Sequence, residues 1–434
     1  MVQSVDIAII GAGYSGAMLA SILGEQGRSV ALIDPTTHVP RGAAYSTRWP
    51  EHLLNVPAIK MGAHADTPEG FTIWLSTAQG AAVAASHGIT TPISGDAFLP
   101  RALYGDYLTA ITAPGLAKVT RITQSAKHIT REGKQYRIGF VQGAAILAKK
   151  LVLATGNGFA SEVLSHPSYF GKPWRCNFDK LANAPEGAPI IILGSGLTAV
   201  DTLVSLLSRS VTTPILVLSR HGAFPAVHDA TPLTTAAIFD PTSVAGKELS
   251  QQMRIVRRFI AAHVASGQNW QSAMDGLRPH TNALWQCLSD AQKQRFFRHL
   301  FTHWNRARHR MAPSLGPVIA GGRYEVRRAS VQAVAAHSVT LAGGETLSAS
   351  TIFDCRGPRY GIRTNPLFST LFDANILRPH HTGLGLQSYG DAGLISTPGA
   401  PPIHAIGPLL LGEQLETTAV PELRAQIKAL AAAL

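Results

Sequence analysis

The sequence predicts an α/β fold in which one unit of strand, glycine turn, helix and strand occurs twice. The first copy runs from "VDIAIIGAGYSG" to "SVALID", and the second runs from "APIIILGSGLTAVDTLVSLLSRS" to "PILVLSR". Each copy is followed by a β-rich stretch and then by a strand that ends at a glycine, in "LVLATGNG" and "STIFDCRGP". Strands that alternate with helices favour parallel pairing, so the duplication predicts two parallel sheets.

The first glycine turn has the spacing of a dinucleotide-binding turn. Gly11, Gly13 and Gly16 lie directly after an apolar strand and at the start of a helix. In that context the first glycine allows the turn, the second lets a pyrophosphate approach the backbone, and the third lets helix and strand pack closely. Asp34 ends the next strand, where a carboxylate accepts hydrogen bonds from ribose hydroxyls. These residues predict a Rossmann-like nucleotide-binding domain.

The second turn differs from the first in two ways. Gly194 and Gly196 are present, but Ala199 stands at the third position, a substitution that the motif allows. Ser219 and Arg220 end the following strand, where the first copy has an acid. An arginine can pair with a 2′-phosphate that an aspartate would repel, so the second turn predicts NADPH rather than NADH.

Two unlike turns predict two unlike nucleotides, FAD at the first and NADPH at the second, placed so that hydride passes between them. Residues 1–160 are then the first part of an FAD-binding domain, and residues 358–434 are its C-terminal part. Residues 186–357 are an NADPH-binding domain inserted between these parts. That domain carries a helical insertion at about residues 245–312.

The positive charge of the chain is concentrated in one region. The 434 residues carry a formal net charge of +12, and residues 251–330 hold 13 Lys and Arg against three Asp and Glu. A solvated helix face, attraction of an anionic cofactor, an acidic substrate and nucleic-acid binding all remain open, with nucleic acid least favoured. An aromatic stripe in the same region is expected to pack the inserted helices rather than to stack bases; its members are Trp270, Trp285, Phe296, Phe297, Phe301 and Trp304.

Cysteine and hydropathy patterns indicate the cellular compartment and whether the chain spans a membrane. Cys176, Cys287 and Cys355 are isolated, with no CxxC pair, which favours a reducing, cytoplasmic compartment. We expect no membrane span, because no stretch of about 18 uninterrupted apolar residues occurs. The histidines lack carboxylates at ligand spacing, so we expect no metal site.

Several blocks resemble known flavoproteins. "LATG" at residues 153–156, with Thr155 and Gly156, resembles the hinge strand of two-dinucleotide flavoproteins such as the class B flavin monooxygenases. The blocks "GAAYSTRWPEHLLNVPAIKMGAHADTPEGFTIWL", "FLPRALYGDYL", "RHRMAP", "FDCRGP" and "GPLLLGEQLETTAVPELRAQI" resemble the bacterial FAD/NAD(P)-binding proteins of the YdhS-like type. The resemblance spans nearly the whole chain and implies FAD and a nicotinamide nucleotide.

The resemblance also suggests site residues. It implies that Asn55, in "HLLNVPA", lies near the isoalloxazine ring and offers its amide to the flavin or nicotinamide. Arg101 is expected either to reach the FAD phosphates or to be a surface helix cap. The segment "HPSYFGKPWRCNF" has Phe170, Gly171 and Trp174 but no histidine after the glycine. This departs from the fingerprint of Baeyer–Villiger enzymes and counts against ester-forming chemistry.

The C-terminal block is expected to return to the first domain and close the flavin site. Gly407, Pro408 and Thr418 are the residues we place there. A helix is predicted from about residue 417, with Thr417 or Thr418 as its N-cap and Pro421 in its first turn.

These observations favour an FAD-dependent, NADPH-oxidising monooxygenase. It would hydroxylate a small nucleophilic substrate with O₂ through a C4a-hydroperoxyflavin, which requires no catalytic acid–base pair. The first alternative is an NAD(P)H:acceptor oxidoreductase that inserts no oxygen. The second is an FAD-bearing nucleic-acid-binding protein.

Overall fold

The two glycine turns lie on two separate parallel sheets. The computed structural model describes residues 3–157, 164–181, 187–229, 237–357, 362–363 and 365–434. The strands found there are β1 (Gln3–Ile10), β2 (Val30–Ile33), β3 (Thr120–Ile122), β4 (Ala126–Glu132), β5 (Gln135–Phe140), β6 (Ile146–Leu153), β7 (Tyr169–Phe170), β8 (Ile190–Leu193), β9 (Ile215–Ser219), β10 (Glu325–Arg328), β11 (Val331–Ala335), β12 (Ser338–Leu341), β13 (Thr346–Ser348), β14 (Thr351–Asp354) and β15 (Ile403–Ala405).

Helices cover the sheets and form the insertion. Those of the described residues are α1 (Tyr14–Glu25), α2 (Gly42–Tyr45), α3 (Gly70–Leu75), α4 (Ala78–Ser86), α5 (Arg101–Leu116), α6 (Leu197–Ser208), α7 (Leu249–Ala265), α8 (Trp270–Leu277), α9 (Thr281–Gln286), α10 (Asp290–His299), α11 (Phe301–Arg308), α12 (Leu315–Gly321), α13 (Pro366–Asp373) and α14 (Val420–Ala433). In the part of the chain described, none of them combines the length and the apolar character needed to cross a membrane.

The two sheets repeat one strand order. The first sheet has the order β3-β2-β1-β6-β5-β4, with β15 beside β6, and the second has the order β10-β9-β8-β14-β7. The order β3-β2-β1-β6 of the first sheet corresponds strand for strand to β10-β9-β8-β14 of the second. Within these four-strand sets all pairs are parallel. The duplicated Rossmann-like fold predicted from the sequence is therefore confirmed.

The C-terminal block returns to the first sheet, as predicted. Strand β15 pairs in parallel with β6, and α14 packs on the same apolar core as α1 and α5. The predicted helix cap was wrong, because α14 begins at Val420 with Ala419 as N-cap and without a capping side chain. The hydroxyl of Thr417 instead donates to the carbonyl of Gly407 at 3.0 Å. This bond ties the approach to α14 back to the end of β15.

The insertion is helical, and its aromatic stripe forms its core. Trp285 and Phe296 are buried with their ring centroids 5.5 Å apart, and the rings of Phe297 and Phe301 stack at 4.3 Å. Trp304 packs against the same cluster. The expectation that these rings pack the inserted helices is confirmed, and the buried members cannot stack on bases.

Part of the charge of the insertion is neutralised against the C-terminal block. Arg278 donates two hydrogen bonds to Glu422, at 2.7 and 2.9 Å, and the guanidinium of Arg308 lies 3.2 Å from the carboxylate of Glu416. Burial raises the pKa of Glu422, but the bonds from Arg278 outweigh burial and hold that pKa below its usual value. These pairs fasten the insertion over the C-terminal block.

A buried ion pair joins the two duplicated units. Arg101, the first residue of α5, donates to both carboxylate oxygens of Asp201 in α6, at 2.7 and 3.3 Å. The indole Nε1 of Trp174 donates to the same carboxylate at 3.0 Å, and Arg101 Nε donates to the carbonyl of Leu53. The Arg101 and Asp201 side chains are 9% and 2% exposed, so both charges are removed from water and depend on each other.

A second set of contacts extends this junction along α6. Asp201, Ser205 and Arg209 are four residues apart and so lie on one face of the helix. The imidazole of His52 bridges Thr47 at 2.7 Å and Ser205 at 2.9 Å. Glu51 accepts hydrogen bonds from Ser205 and Arg209, at 2.7 and 2.6 Å. Burial raises the pKa of Glu51 but these bonds lower it below its usual value, whereas burial lowers the pKa of His52.

Breaking the ion pair should destabilise the fold strongly. In Asp201→Asn the Arg101 guanidinium stays buried without a counter-charge, and we expect a loss of about 3 kcal/mol in the free energy of unfolding. The double variant Arg101→Met/Asp201→Asn should lose less than the sum of the two single variants, because it leaves no uncompensated charge. Urea unfolding followed by tryptophan fluorescence measures all three.

The exposed pair Arg137–Glu132 provides the matched control. Glu132→Gln should cost less than about 1 kcal/mol, since water already solvates both charges. Additive losses in the Arg101 and Asp201 variants would show that the two side chains do not act as a pair.

Candidate functional site

Backbone geometry at the first turn requires glycine at two positions. Gly11 has φ +102°, and a Cβ built on it would lie 2.3 Å from the carbonyl oxygen of Ala154. A Cβ on Gly16 would lie 1.9 Å from the carbonyl oxygen of Gly11. Thr155 continues the chain past Ala154, with its Cα 3.2 Å from the same Gly11 Cβ position. The turn is therefore held directly against the segment that follows β6.

The start of α1 leaves backbone donors without a side-chain cap. Gly13 is the N-cap of α1 and supplies no side-chain acceptor. The carboxylate of Asp34 lies beside the turn and accepts the Ala12 N–H and the Thr36 N–H, both at 2.8 Å. Unpaired N–H groups and the helix dipole favour an anion here, and the carboxylate places negative charge at the next strand end.

The second turn repeats this geometry. Gly194 has φ +100°, and a Cβ there would lie 2.5 Å from the carbonyl oxygen of Cys355, the counterpart of Ala154. Gly196 is the N-cap of α6, again without a side-chain cap, and a Cβ there would meet no atom within 4 Å. Ala199 is fully buried and tolerated as the third residue. Gly196 therefore faces open space, which a phosphate group can occupy.

Ser219 ends β9 and faces the loop that follows this strand. Its side chain is buried, and its hydroxyl accepts hydrogen bonds from Ser195 Oγ at 3.0 Å and from the Gly222 N–H at 2.9 Å. The hydroxyl thus shapes the loop after β9, and its contact with a 2′-phosphate stays a prediction.

Arg220 stands in a cluster of positive charge. It is exposed and lies next to His221, whose ring is 5.5 Å from that of His303. Burial lowers the pKa of His221, and the neighbouring His303, Arg220, Arg328 and Arg306 lower it further. The end of β9 therefore presents a positive surface, in contrast to Asp34 at the end of β2.

Arg101 fits neither of its two expected roles. It is buried and committed to Asp201, so it is not a surface cap, and its guanidinium is not free to reach FAD phosphates. Sequence reasoning missed Asp201 as its partner. The available signals were an arginine at the first turn of a helix, where the dipole disfavours a cation, and an acid within the apolar "LTAVDTLVSLL".

The loop that carries Asn55 is held from three sides. The main-chain carbonyl of Asn55 accepts from His228 Nε2 at 3.1 Å, and the ring of His228 lies 4.9 Å from that of Phe98. The hydroxyl of Tyr14 donates to the carbonyl of Ala63 at 2.8 Å. Arg424 of α14 donates to the carbonyl of Gly62 at 2.9 Å. The loop is thereby fixed between α1, α14 and the second unit.

The C-terminal residues lie at the same edge of the first sheet. Ile406 N donates to the carbonyl of Leu153, the last residue of β6, at 3.1 Å. Gly407 follows with φ +79° and donates to Gln426 Oε1 at 2.9 Å. Pro408 continues into a single 3-10 turn, and Thr418 is exposed. Gly156, which follows the end of β6, has φ +66°.

Comparison with known proteins agrees with this geometry. Residues 8–158 match a family model described as FAD-NAD(P)-binding. No curated protein matches the chain. The family match spans the first glycine turn, Asp34 and the Thr155–Gly156 segment.

Solved structures resemble the chain over its whole length. The reduced form of ornithine hydroxylase from Pseudomonas aeruginosa has a TM-score of 0.63 at 14% identity and covers 100% of this chain and 98% of its own. Ornithine N-hydroxylase from Kutzneria sp. 744, with reduced FAD, NADP⁺ and L-ornithine, has a TM-score of 0.63 at 14% identity, covering 99% and 98%. Bacillithiol disulfide reductase from Bacillus cereus has a TM-score of 0.55 at 12% identity, covering 99% and 98%.

These likenesses confirm the two-dinucleotide-binding fold. The family match, described as FAD-NAD(P)-binding, supports the expected cofactors, FAD and a nicotinamide nucleotide. Because the structures include both hydroxylases and a disulfide reductase, the fold is compatible with both leading functional hypotheses.

Acid should loosen the Asn55 loop through His228. Burial lowers the pKa of His228 from 6.5 to about 4. A depressed pKa gives stability that is complete above the unfolded value and is lost as the pH falls through the folded value. We expect wild type to lose about 3 kcal/mol from this group between neutral pH and pH 4.

Urea unfolding of wild type and His228→Gln over this pH range measures the effect. The variant should show a weaker pH dependence. The exposed His381 supplies the control, and His381→Gln should follow wild type. An unchanged pH dependence in His228→Gln would exclude His228 as the titrating group.

Proposed function

We propose that this protein is an NADPH-dependent FAD monooxygenase that hydroxylates a small nucleophilic substrate. The observation that carries the proposal is the pairing of two geometrically equivalent turns with opposite charge, Asp34 beside the first and Arg220 beside the second. One site then suits a ribose with free hydroxyls, and the other suits a ribose 2′-phosphate. We also propose that the protein is related to the bacterial FAD/NAD(P)-binding proteins of the YdhS-like type, which its sequence blocks resemble.

The first turn fits FAD. The N–H groups at the start of α1 would bind the pyrophosphate, and Gly13 leaves the space that a side chain would fill. Each Asp34 oxygen accepts one backbone hydrogen bond and keeps a lone pair for the ribose hydroxyls. Thr155, Gly156, Gly407, Pro408 and Thr418 would border the flavin, because Thr155 lies against Gly11 and the residue before Gly407 bonds to Leu153 at the end of β6.

The second turn fits NADPH. Gly194 and Gly196 would cradle its pyrophosphate, with Ala199 packing α6 on the sheet. Arg220 would pair with the 2′-phosphate, and Arg328 adds a second cation. We assign residues 1–160 and 358–434 to the FAD-binding domain and residues 186–357 to the NADPH-binding domain. The helical insertion at about 245–312 belongs to the latter.

Held by the first turn and Asp34, FAD would supply the redox chemistry that links NADPH to O₂. The part of this chain is to orient the two nucleotides through the α6 junction and to exclude water. Asn55 would offer its side-chain amide to the flavin or nicotinamide from a loop fixed by His228. In the overall reaction one oxygen atom enters the substrate and the other leaves as water, with NADPH and a proton consumed.

The two buried cysteines, Cys176 and Cys355, are unsuited to disulfide reduction. All three cysteines are free. Burial raises the pKa of Cys176 to about 12 and holds that of Cys355 well above its usual value. A buried, protonated thiol is a poor nucleophile, so neither fits thiol–disulfide exchange. The isolated cysteines also support the expected reducing, cytoplasmic setting.

Removing the Arg220 charge should weaken the use of NADPH and leave the use of NADH unchanged. In Arg220→Gln the KM for NADPH should rise at least tenfold, because a charge-assisted bond to the 2′-phosphate is lost, while the KM for NADH stays within twofold. Steady-state oxidation of each nucleotide measures this. Arg327, which pairs with Glu345, is the matched control. Equal effects of Arg220→Gln on both nucleotides would show that Arg220 does not recognise the phosphate.

Stopped-flow reoxidation tests the oxygen chemistry. The FAD-loaded protein is reduced with NADPH without oxygen and then mixed with O₂. We expect the oxidised-flavin absorbance to return only after a lag, because the enclosed site retains NADP⁺ and excludes water. Arg220→Gln, which holds NADP⁺ weakly, should shorten the lag. Immediate return would favour the acceptor oxidoreductase, and a protein that takes up no FAD would overturn both functions.

A further inference from the structure

The cations of the insertion fall into two sets. Arg278, Arg308 and Arg310 point inward and lie against carboxylates. A second set lies on the outer surface of α7 and α10, exposed and without a hydrogen bond or ion pair to any described residue; its members are Arg254, Arg257, Arg258, Arg295 and Arg298. The second set has no counter-charge within the described protein.

Four of these outer arginines surround a groove between α7 and α10. The groove has a volume of about 670 Å³ and is lined by Arg254, Arg257, Arg258 and Arg295, with no carboxylate among its lining residues. A volume of this size lies within the range of about 300–1,000 Å³ for small-molecule sites. The groove is concave, whereas an ordinary solvated helix face is convex.

The floor of the groove is apolar. Leu249, Met253 and Leu300 line it; Leu249 belongs to the buried cluster that contains Trp285, and the other two are partly buried against that cluster. The α7 residues that line the groove lie between positions 249 and 261 and recur at the helical period. They therefore form one stripe, roughly 18 Å long at 1.5 Å per residue. The groove therefore combines an apolar strip with guanidinium groups along its rim.

Like charges on α7 repel one another. Arg254 lies three and four residues before Arg257 and Arg258, a spacing at which equal charges destabilise a helix. An anion between them would remove this repulsion. A guanidinium also presents a planar fork that matches carboxylate and phosphate oxygens, which a lysine ammonium does not.

We propose that the groove between α7 and α10 binds an amphipathic anion, a small molecule with a carboxylate or phosphate head and an apolar chain. The head lies between the arginines and the chain lies on Leu249, Met253 and Leu300. This site is separate from both glycine turns and does not depend on the proposed oxidation chemistry. Its apolar floor distinguishes it from a surface that attracts any polyanion.

Calorimetric titration of the FAD-loaded protein tests the site. The probes are octyl phosphate and octanoate, which separate a phosphate head from a carboxylate head, with inorganic phosphate and octanol as comparisons. One of the two anionic amphiphiles should bind with one site per chain, at least tenfold more tightly than inorganic phosphate or octanol. Rising ionic strength should weaken this binding.

Two pairs of variants localise the binding. Arg257→Gln/Arg295→Gln should weaken it at least tenfold, whereas Arg298→Gln, on the same helix as Arg295 but outside the groove, should leave it unchanged. Ala261→Trp should fill the groove while retaining every arginine, and Ala262→Trp places the same ring on the neighbouring exposed position. Circular dichroism checks that all variants are folded.

Three results would overturn the proposal. Equal affinity for inorganic phosphate and octyl phosphate would show that the floor contributes nothing. Equal losses in Arg298→Gln and the double variant would indicate diffuse charge attraction. Tight binding of mixed-sequence RNA that Arg298→Gln also weakens would assign the face to nucleic acid.

Discussion

Helix α6 begins at the second glycine turn, and the buried ion pair between its Asp201 and Arg101 holds this helix to α5. The acid lies five residues after Gly196, about 7 Å along the helix axis at 1.5 Å per residue. Because the contact is so close to the turn, small rotations of α6 would change the position of the turn little. Glu51 and His52 hold the next two turns of the same face through Ser205 and Arg209. The proposed hydride transfer between two nucleotides would require such fixed geometry.

The insertion and the C-terminal block depend on each other in a similar way. Glu416 and Glu422 are carboxylates that would be costly to bury alone, and Arg278 and Arg308 would be equally costly without them. Trp285 adds a hydrogen bond from its indole Nε1 to the carbonyl of Gly412 at 2.9 Å. The helices that carry most of the positive charge thereby lie over the segment that ends the first sheet. The arginines on the outer surface of α7 and α10 have no ion-pair partner among the described residues, so their charge is available to a ligand.

The two glycine turns could be predicted from the sequence, whereas the side-chain contacts around them could not. At Gly11 and Gly194 the backbone takes φ near +100°, and a Cβ on Gly16 would meet the carbonyl oxygen of Gly11, five residues earlier. Such constraints act within a few residues, so they appear as fixed spacings in the sequence. Ser219 occupies a position equivalent to that of Asp34, but its hydroxyl turns to Ser195 and Gly222, partners that no spacing specifies. The N-cap of α14 is Ala419 rather than the predicted Thr417 or Thr418. The hydroxyl of Thr417 bonds instead to the carbonyl of Gly407, ten residues earlier.

The sequence by itself determined the two Rossmann-like units, their glycine turns, the opposite charges of Asp34 and Arg220, the helical insertion and its aromatic core. These features follow from local backbone sterics and from the periodicity of apolar residues. Only the tertiary structure decided that Arg101 pairs with Asp201 rather than with a phosphate, that His52 is a buried link, and which arginines of the insertion stay unpaired. Burial makes an isolated charge costly, and the partner that removes this cost can lie a hundred residues away.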